Sequence, residues 1–221
     1  MPGAEDGGHS PTPVLLELLT EARALGFLGP GPLEPQIQHA DGFATIARRL
    51  SKEGSPRLVD LGSGGGLPGL VVATEWPEVT LFLLEAHGRR AAFLRRAVER
   101  LGLADRVTVL EERAEVAGRE AGLRAGFDGA LARSFGRPAV VAECAAALLR
   151  VGGWLVVSEP PQAGVAGEGG DRWPAEPLRQ FGLEPARVMH ETFEYQTLNQ
   201  VAPCPDRFPR RNGVPAKKPL F

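Results

Sequence analysis

Residues 57–69 are Arg-Leu-Val-Asp-Leu-Gly-Ser-Gly-Gly-Gly-Leu-Pro-Gly, a short apolar run with one acid that leads into a glycine-rich turn. Its beginning is apolar apart from Asp60 and predicts a short buried strand at 58–61. The glycines that follow, Gly62, Gly64 and Gly66, lack the Cβ atoms that would keep a ligand away from the backbone. A helix is predicted next, at 68–75. A strand, a glycine turn and a helix in this order are typical of a site for a nucleoside cofactor.

Two cofactors fit such a turn. Gly64, Gly66 and Gly69 match the Gly-x-Gly-x-x-Gly pattern, in which a dinucleotide pyrophosphate rests on the helix N-terminus. Asp60 argues against a dinucleotide, because a carboxylate at the mouth of the loop would repel the pyrophosphate. S-adenosylmethionine (AdoMet) carries an ammonium group that a carboxylate network can hold. AdoMet is therefore the predicted cofactor, with Asp60 and Ser63 among its neighbours.

A second acid supports a cofactor site. The run at 79–84, Val-Thr-Leu-Phe-Leu-Leu, predicts a second buried strand that ends in Glu85. Glu85 follows the glycine loop by about twenty residues, the spacing of an acid that accepts hydrogen bonds from ribose hydroxyls. This spacing does not separate AdoMet from NAD. A solvated carboxylate without a ligand remains the alternative interpretation of Glu85.

Strands and helices alternate through the middle of the chain and predict a doubly wound, Rossmann-like α/β fold. Its sheet is expected to be mostly parallel and twisted, with helices on both faces. Two β-rich runs, 185–195 and 196–202, are expected to pair and to form an antiparallel edge. The predicted central elements are strands at 58–61, 79–84, 106–110, 127–132 and 153–158, and helices at 68–75, 88–101, 114–121 and 137–149.

The whole chain divides into three parts. Residues 1–13 are rich in glycine and proline and are predicted to be disordered, and 14–56 to form a helical extension. That extension has helices at 14–25 and 39–50, separated by a glycine and proline break at 29–35. The cofactor-binding domain then covers 57–221. Within it, the glycine-rich segment 160–174 is interpreted as a tolerated insertion, with a mobile loop over the cofactor as the alternative.

Composition limits the function classes. The chain has 221 residues, 43% hydrophobic, and no apolar run long enough to cross a bilayer. Its beginning has neither the basic nor the apolar region of a signal peptide, so a cytoplasmic location without membrane contact is expected. The 2 cysteines, Cys144 and Cys204, lack metal-ligand spacing and predict buried thiols and no metal. Oligomeric state is not determined by the sequence, although a monomer is expected.

A basic segment at 206–218 stands out against a net charge of −2 for the whole chain. Such a segment can bind phosphates, although many charged runs are only a solvated face. Its cations outnumber the single acid, Asp206, and are Arg207, Arg210, Arg211, Lys217 and Lys218.

Several motifs together resemble one family, the bacterial small-subunit ribosomal RNA guanine-N7 methyltransferases, also called glucose-inhibited division protein B. They are the glycine loop, the strand that ends in Glu85, and the runs at 90–95 (Arg-Ala-Ala-Phe-Leu-Arg), 112–115 (Glu-Arg-Ala-Glu) and 132–135 (Ala-Arg-Ser-Phe). The ending at 208–220, Phe-Pro-Arg-Arg-Asn-Gly-Val-Pro-Ala-Lys-Lys-Pro-Leu, is similar to the C-terminal signature of that family. The resemblance covers about 57–159 and 204–220.

The resemblance implies a class I AdoMet-dependent methyltransferase active in rRNA processing. AdoMet would lie across the carboxyl edge of the sheet, with the three loop glycines beside its methionine part and Glu85 on its ribose. Ala114 and Glu115 would border the adenine. Arg133 would lie where methyl donor and target base meet, unless it pairs with Asp128 or Glu159. Small-subunit rRNA or the ribosomal subunit would be the partner, held by Arg133, Arg210, Arg211, Lys217 and Lys218.

The chain lacks an obvious nucleophile or general base, and guanine N7 chemistry does not require one. N7 presents an in-plane lone pair and can attack a sulfonium methyl group without losing a proton, so alignment can supply most of the catalysis.

Three positions depart from the family pattern. Leu33-Glu34-Pro35-Gln36 stands where Asn-Leu-Thr is typical, Ala132-Arg133-Ser134 replaces Ser-Arg-Ala, and Glu159 replaces a lysine after the fifth strand. A carboxylate at 159 is expected to disfavour a nearby RNA phosphate. A small-molecule methyltransferase and a non-catalytic AdoMet-binding, ribosome-associated protein therefore stay as alternatives.

Overall fold

The computed structural model describes residues 11–51, 54–160, 172–190 and 193–221. Residues 1–10 and the central part of the predicted insertion, 161–171, lie outside the described residues, so the predictions made for them are not tested. The described chain contains these elements in order: α1 Pro13–Ala24, α2 Leu33–Leu50, β1 Arg57–Leu61, α3 Gly69–Glu75, β2 Thr80–Leu84, α4 Gly88–Arg100, β3 Val107–Leu110, α5 Ala114–Ala117, β4 Phe127–Ala132, α6 Pro138–Leu148, β5 Leu149–Ser158, α7 Ala175–Arg179, β6 Leu183–His190, β7 Glu194–Gln200 and α8 Val214–Lys217.

The seven described strands form one sheet in the order β3-β2-β1-β4-β5-β7-β6. The pairs among β1 to β5 are parallel, whereas β7 is antiparallel to both β5 and β6. The predicted Rossmann-like α/β fold and the predicted antiparallel strand pair are thus confirmed. Strand β6 forms the edge of the sheet, and β7 lies between β5 and β6. The strand order reverses between β1 and β4, and ligands of open α/β sheets bind at the carboxyl side of such a point.

Successive side chains of β1 point to opposite faces of the sheet. Leu58 packs into the core between the sheet and helices α1 to α4, whereas Val59 and Leu61 pack on the opposite face with α5 and α6. Burial of both faces explains why the strands are almost continuously apolar. Asp60 follows the same alternation as Leu58 and therefore faces α3.

Helix α2 begins at Leu33, six residues before the predicted start at 39. The prediction of a break at 29–35 is wrong there, because Pro35 lies within the first turn of the helix. Proline is tolerated in the first helical turn, where its missing N–H would have no partner within the helix. Further along α2, Gly42 lets Tyr195 approach closely, since a Cβ at this position would lie 2.1 Å from the Tyr195 hydroxyl oxygen.

Helix α5 is shorter than the predicted 114–121, because it ends at Ala117 and Gly118 caps it. Strand β5 begins at Leu149, four residues before the predicted start, and its pairing with β4 is shifted after Phe127. The other central elements agree with the prediction within two residues.

The C-terminal segment packs outside α5 and α6. The Phe208 ring lies 4.8 Å from that of Phe181 between centroids, and Arg124 donates to the carbonyl oxygens of Cys204 and Phe208 at 2.7 and 2.8 Å. Further along, the Gly213 N–H donates to Glu115 Oε1 at 2.9 Å. The basic segment therefore runs from Arg124 to the beginning of α5 and is held at both places by hydrogen bonds.

Candidate functional site

The register of the three central strands brings the predicted site residues together. Leu61 of β1 is aligned with Leu84 of β2 on one side and with Ala132 of β4 on the other. The residue after each of these leaves the sheet at the same carboxyl edge. Those three residues are Gly62, Glu85 and Arg133.

Asp60 is 1% exposed and lies beneath the glycine loop. Its Oδ2 accepts the Gly69 N–H at 3.2 Å, which ties it to the start of α3. Its Oδ1 is buried and has no hydrogen-bond partner within the described residues. Burial, aided by the charge of Glu85, raises the pKa of Asp60 to about 7 against the opposing effect of hydrogen bonds and Arg133. An incoming ammonium group would satisfy Oδ1 and favour the ionised form.

The glycine loop is shaped by different causes at different positions. Gly62, Gly64 and Gly66 all have positive φ, at 68°, 55° and 100°. A Cβ at Gly62 would lie 2.7 Å from the ring of Phe135, and one at Gly66 would lie 2.4 Å from Leu70. At Gly64 the nearest atoms are backbone oxygens at ordinary contact distances, so this position leaves space for a ligand.

Ser63 has an internal role. It is 1% exposed, its hydroxyl donates to the Asp60 carbonyl oxygen at 3.1 Å, and its N–H donates to the Leu84 carbonyl oxygen at 3.1 Å. The side chain predicted to contact the cofactor thus braces the turn in this structure. Its direct contact with AdoMet stays a prediction.

Glu85 is 4% exposed, which argues against the alternative of a merely solvated carboxylate. Its Oε2 accepts the Gly64 N–H at 2.9 Å, and its Oε1 accepts the His87 N–H at 2.9 Å. These two bonds fix the carboxylate between the glycine loop and the start of α4. Each carboxylate oxygen can accept more than one bond, so acceptor capacity remains for ribose hydroxyls.

Ala114 and Glu115 open α5, immediately beyond the carboxyl edge of β3, and are 5% and 8% exposed. One oxygen of Glu115 accepts the Gly213 N–H, so this carboxylate also anchors the C-terminal segment. The predicted border with adenine stays a prediction for both residues.

Arg133 pairs with neither of the two carboxylates considered from the sequence. Its Nη1 donates to the Gln36 carbonyl oxygen in α2 at 3.3 Å, and the described residues give it no ion pair. Asp128 instead pairs with Arg150, and Glu159 with Arg172. Burial lowers the pKa of the Arg133 guanidinium below its ordinary value, and Tyr195 and Asp60 oppose that effect.

His39 and Tyr195 form an aromatic group beside Arg133 that was not predicted. The His39 ring lies 5.3 Å from Tyr195 and 4.7 Å from Phe193 between centroids, and the Tyr195 hydroxyl donates to the His39 carbonyl oxygen at 2.7 Å. Burial and the nearby Arg133 lower the pKa of His39 to about 4. The imidazole is therefore neutral near pH 7. No local motif marks either residue, since α2 and β7 are far apart in the chain.

Glu159, at the end of β5, does not act as an isolated negative charge. Its Oε2 accepts from Arg172 Nε at 2.7 Å, and its Oε1 accepts from Trp173 Nε1 at 2.8 Å. The expected charge reversal at 159 is offset by the Arg172 guanidinium. Whether position 159 disfavours a nearby RNA phosphate stays a prediction, and the ion pair weakens the reason for it.

The basic segment contains two kinds of cation. The Arg210 side chain binds Glu143 of α6 through Nε at 2.9 Å and Nη2 at 2.6 Å, and Glu143 is completely buried. Arg210 thus stabilises the fold in this structure, and its contact with RNA stays a prediction. Arg211, Lys217 and Lys218 are exposed and can meet phosphates.

The residues present fit AdoMet. The unpartnered Asp60 Oδ1 suits the ammonium group, the open space at Gly64 suits the methionine part, and the buried Glu85 suits the ribose. Among the described residues, no cluster of three or more histidine, cysteine or acidic side chains could hold a metal ion. No helix in the described ranges has the length and apolarity to span a bilayer.

Comparison with protein families gives a match to the family described as rRNA small subunit methyltransferase G, over residues 41–159. The ribosomal RNA small subunit methyltransferase G of Rubrobacter xylanophilus is 40% identical over 200 residues, which are 86% of this chain and 76% of that protein. The protein of the same name from Chloroflexus aggregans is 36% identical over 172 residues, 74% of this chain and 69% of that protein.

Solved structures agree in fold. An O-methyltransferase from Bacillus cereus, in complex with SAH, superposes with a TM-score of 0.62 at 17% identity and covers 89% of this chain and 94% of its own. A SAM-dependent O-methyltransferase from Thermotoga maritima gives 0.57 at 14% identity, covering 84% and 71%. At these identities the similarity concerns the fold alone.

Proposed function

Because the chain belongs to the rRNA small subunit methyltransferase G family, we propose that it transfers the methyl group of AdoMet to guanine N7 in small-subunit ribosomal RNA. Family membership is the observation that carries the proposal. The geometry supports it, because the carboxyl edge of the sheet brings Asp60, Glu85 and the glycine loop together with Arg133. The reaction would take place on the ribosomal subunit or its RNA, in the cytoplasm.

The chain's own residues hold and orient the cofactor. Asp60 would bind the ammonium group through its unpartnered oxygen. Glu85 would accept hydrogen bonds from the ribose hydroxyls, and the bond that it accepts from the Gly64 N–H keeps the loop in place. Ala114 and Glu115 would border the adenine. Because Asp60 and Glu85 are already held by backbone N–H groups, little ordering of their side chains would be needed on binding, which would lower the entropy cost of association.

AdoMet supplies a methyl group on a positively charged sulfur, which the N7 lone pair can attack in line. No residue has to remove a proton, so the neutral His39 does not need to act as a base. The protein contributes alignment, and Arg133 is the group we assign beside the reacting atoms. Its guanidinium emerges from β4 next to the glycine loop and has most of its donors available for the RNA or the cofactor.

The RNA is held by exposed cations in this proposal. Arg211, Lys217 and Lys218 lie on the C-terminal segment that ends near α5, and they would contact phosphates without selecting a base. Neutralising each should lower the salt dependence of RNA binding by about one unit of slope and leave the AdoMet affinity unchanged.

The test is a transfer assay with tritiated AdoMet. Small ribosomal subunits from a strain that lacks this gene are the substrate, and large subunits from the same strain are the control. Nuclease digestion and mass spectrometry then identify the labelled nucleoside. Label in one N7-methylguanosine of the small subunit is expected. AdoMet binding with no label in RNA would contradict the proposal and favour the small-molecule or non-catalytic alternative.

A further inference from the structure

A cavity of about 290 Å³ lies at the carboxyl ends of β4 and β5, close to the lower limit of about 300 Å³ for ligand pockets. Its walls come from α2, from the turn after β4, and from the segments that end at Pro160 and begin at Arg172. Its lining combines apolar side chains, including Phe135, Val157 and Trp173, with polar ones, including His39 and Arg172. A planar base can pack against the apolar walls and hydrogen-bond to the polar ones.

Phe135 links this cavity to the cofactor loop. Its ring lines the cavity. The same ring packs closely on Gly62, since a Cβ at Gly62 would lie only 2.7 Å from it. The cavity therefore begins where the predicted AdoMet cradle ends. A base in it would be next to the methionine part of the cofactor, as methyl transfer requires.

An ion pair between Glu159 and Arg172 lies among the polar residues that line the cavity. Glu159 has a side chain only 5% exposed, and it holds Arg172 through Nε at 2.7 Å. The Arg172 side chain is 39% exposed, and among the described residues neither terminal nitrogen of its guanidinium donates a hydrogen bond. Those nitrogens offer up to four N–H donors to the cavity. Trp173, the next residue, binds the other Glu159 oxygen and helps to keep the carboxylate in place.

From this arrangement we infer that Arg172, positioned by Glu159, recognises O6 of the target guanine. This inference rests on the proposed function. A donor directed at O6 separates guanine from adenine, which carries an amino group at the corresponding position. Methylation at N7 moves positive charge from sulfur to the base, and a second uncompensated cation near O6, in addition to Arg133, would oppose this change. The buried Glu159 carboxylate compensates the guanidinium, so the pair donates a hydrogen bond without adding net positive charge.

The test compares protein and base variants together. Small subunits are reconstituted with rRNA that carries guanine, inosine or 2-aminopurine at the mapped position. Inosine keeps N7 and O6, whereas 2-aminopurine keeps N7 and lacks O6. For the wild-type protein, 2-aminopurine should lower kcat/KM by roughly 5- to 150-fold and inosine should be much better tolerated. Arg172→Ala should lower kcat/KM on guanine by a similar factor, and removing O6 should then cause little further loss.

Matched variants separate this role from general damage. Arg179→Ala removes another exposed arginine paired with a glutamate, Glu176, and should keep wild-type kinetics. Arg172→Lys keeps the charge, but its single ammonium group cannot serve Glu159 and O6 with the same geometry, so it should recover only part of the activity. Glu159→Gln leaves Arg172 as an uncompensated cation and should lower kcat more than it raises KM. All variants should keep the wild-type affinity for AdoMet.

Two outcomes would overturn the inference, and they differ in what else they affect. If the wild type is active on guanine and Arg172→Ala is equally active, or discriminates against 2-aminopurine as strongly, the assignment of Arg172 is wrong and the proposed function stands. If the wild type transfers no methyl group to the guanine substrate, the proposed function fails and the inference fails with it.

Discussion

The pair formed by Arg210 and Glu143 gives the sharpest prediction about the basic segment. The sequence predicts that Arg210 binds RNA, whereas the structure pairs it with a carboxylate that is 0% exposed. Replacing Arg210 with alanine removes the two side-chain donors and leaves the backbone N–H of residue 210, which donates to Glu143 Oε1 at 2.6 Å. In the variant the buried Glu143 carboxylate therefore keeps this backbone bond but loses the positive charge that neutralises it.

The magnitude follows from that geometry. Removing one partner of a buried ion pair costs about 3–5 kcal/mol. The Arg210→Ala variant keeps the backbone bond, and the Arg210 side chain is 23% exposed. The expected loss in the free energy of unfolding is therefore at the lower end of this range, about 3 kcal/mol. For a chain of this size each kcal/mol lowers Tm by roughly 2–4 °C, so a decrease of about 6–12 °C is expected. Differential scanning calorimetry near pH 7 measures it.

Two controls accompany the measurement. Arg211→Ala removes an exposed neighbour and should change the free energy of unfolding by less than about 0.5 kcal/mol, while it weakens RNA binding. Adding Glu143→Gln to Arg210→Ala removes the buried charge and should recover much of the lost stability. If Arg210→Ala has a wild-type Tm and loses RNA binding as Arg211→Ala does, the structural role assigned to Arg210 is refuted.

Three further predictions concern the cofactor loop and the helical extension. Because the pKa of Asp60 is about 7 without ligand, the AdoMet Kd should rise by up to about tenfold from pH 8 to pH 6, and Asp60→Asn should weaken binding and abolish this part of the profile in calorimetric titrations. Gly62→Ala should abolish AdoMet binding, because the new methyl group meets an aromatic ring; Gly102→Ala has nearly the same φ, with open space around it, and should keep binding. Burial, together with the nearby Glu75, raises the pKa of Asp41 to about 7, so its protonated form stabilises the fold at low pH and this contribution is lost as the pH rises through 7. Tm should therefore fall less between pH 5 and pH 8 in Asp41→Asn than in the wild type, and identical profiles would contradict this assignment.

Much of the fold could be predicted because local chemistry decided it. The strand at 57–61 is short, apolar and followed by glycines with positive φ, and the acid at 85 follows at the expected spacing. The start of α2 was missed because a proline in the first turn resembles a break when only the sequence is considered.

The site was predictable only where its residues lie at the carboxyl ends of predicted parallel strands. Asp60, Glu85 and Arg133 come at strand ends, which parallel register brings together. The partners of His39, Glu159 and Arg210 depend on packing between segments that are distant in sequence, and no spacing rule predicts them. Arg172 illustrates the difficulty, because its importance depends on a buried carboxylate that the sequence presents only as a departure from a family pattern.

The central claim is tested most directly by the N7-methylguanosine content of small-subunit rRNA in cells. Nucleoside mass spectrometry would compare the parent strain, a strain that lacks this gene, and that strain with the gene restored as wild type or as Glu85→Gln. The account predicts that deletion removes one N7-methylguanosine per small subunit, that the wild-type gene restores it, and that Glu85→Gln restores much less. An unchanged N7-methylguanosine content after deletion would contradict the account.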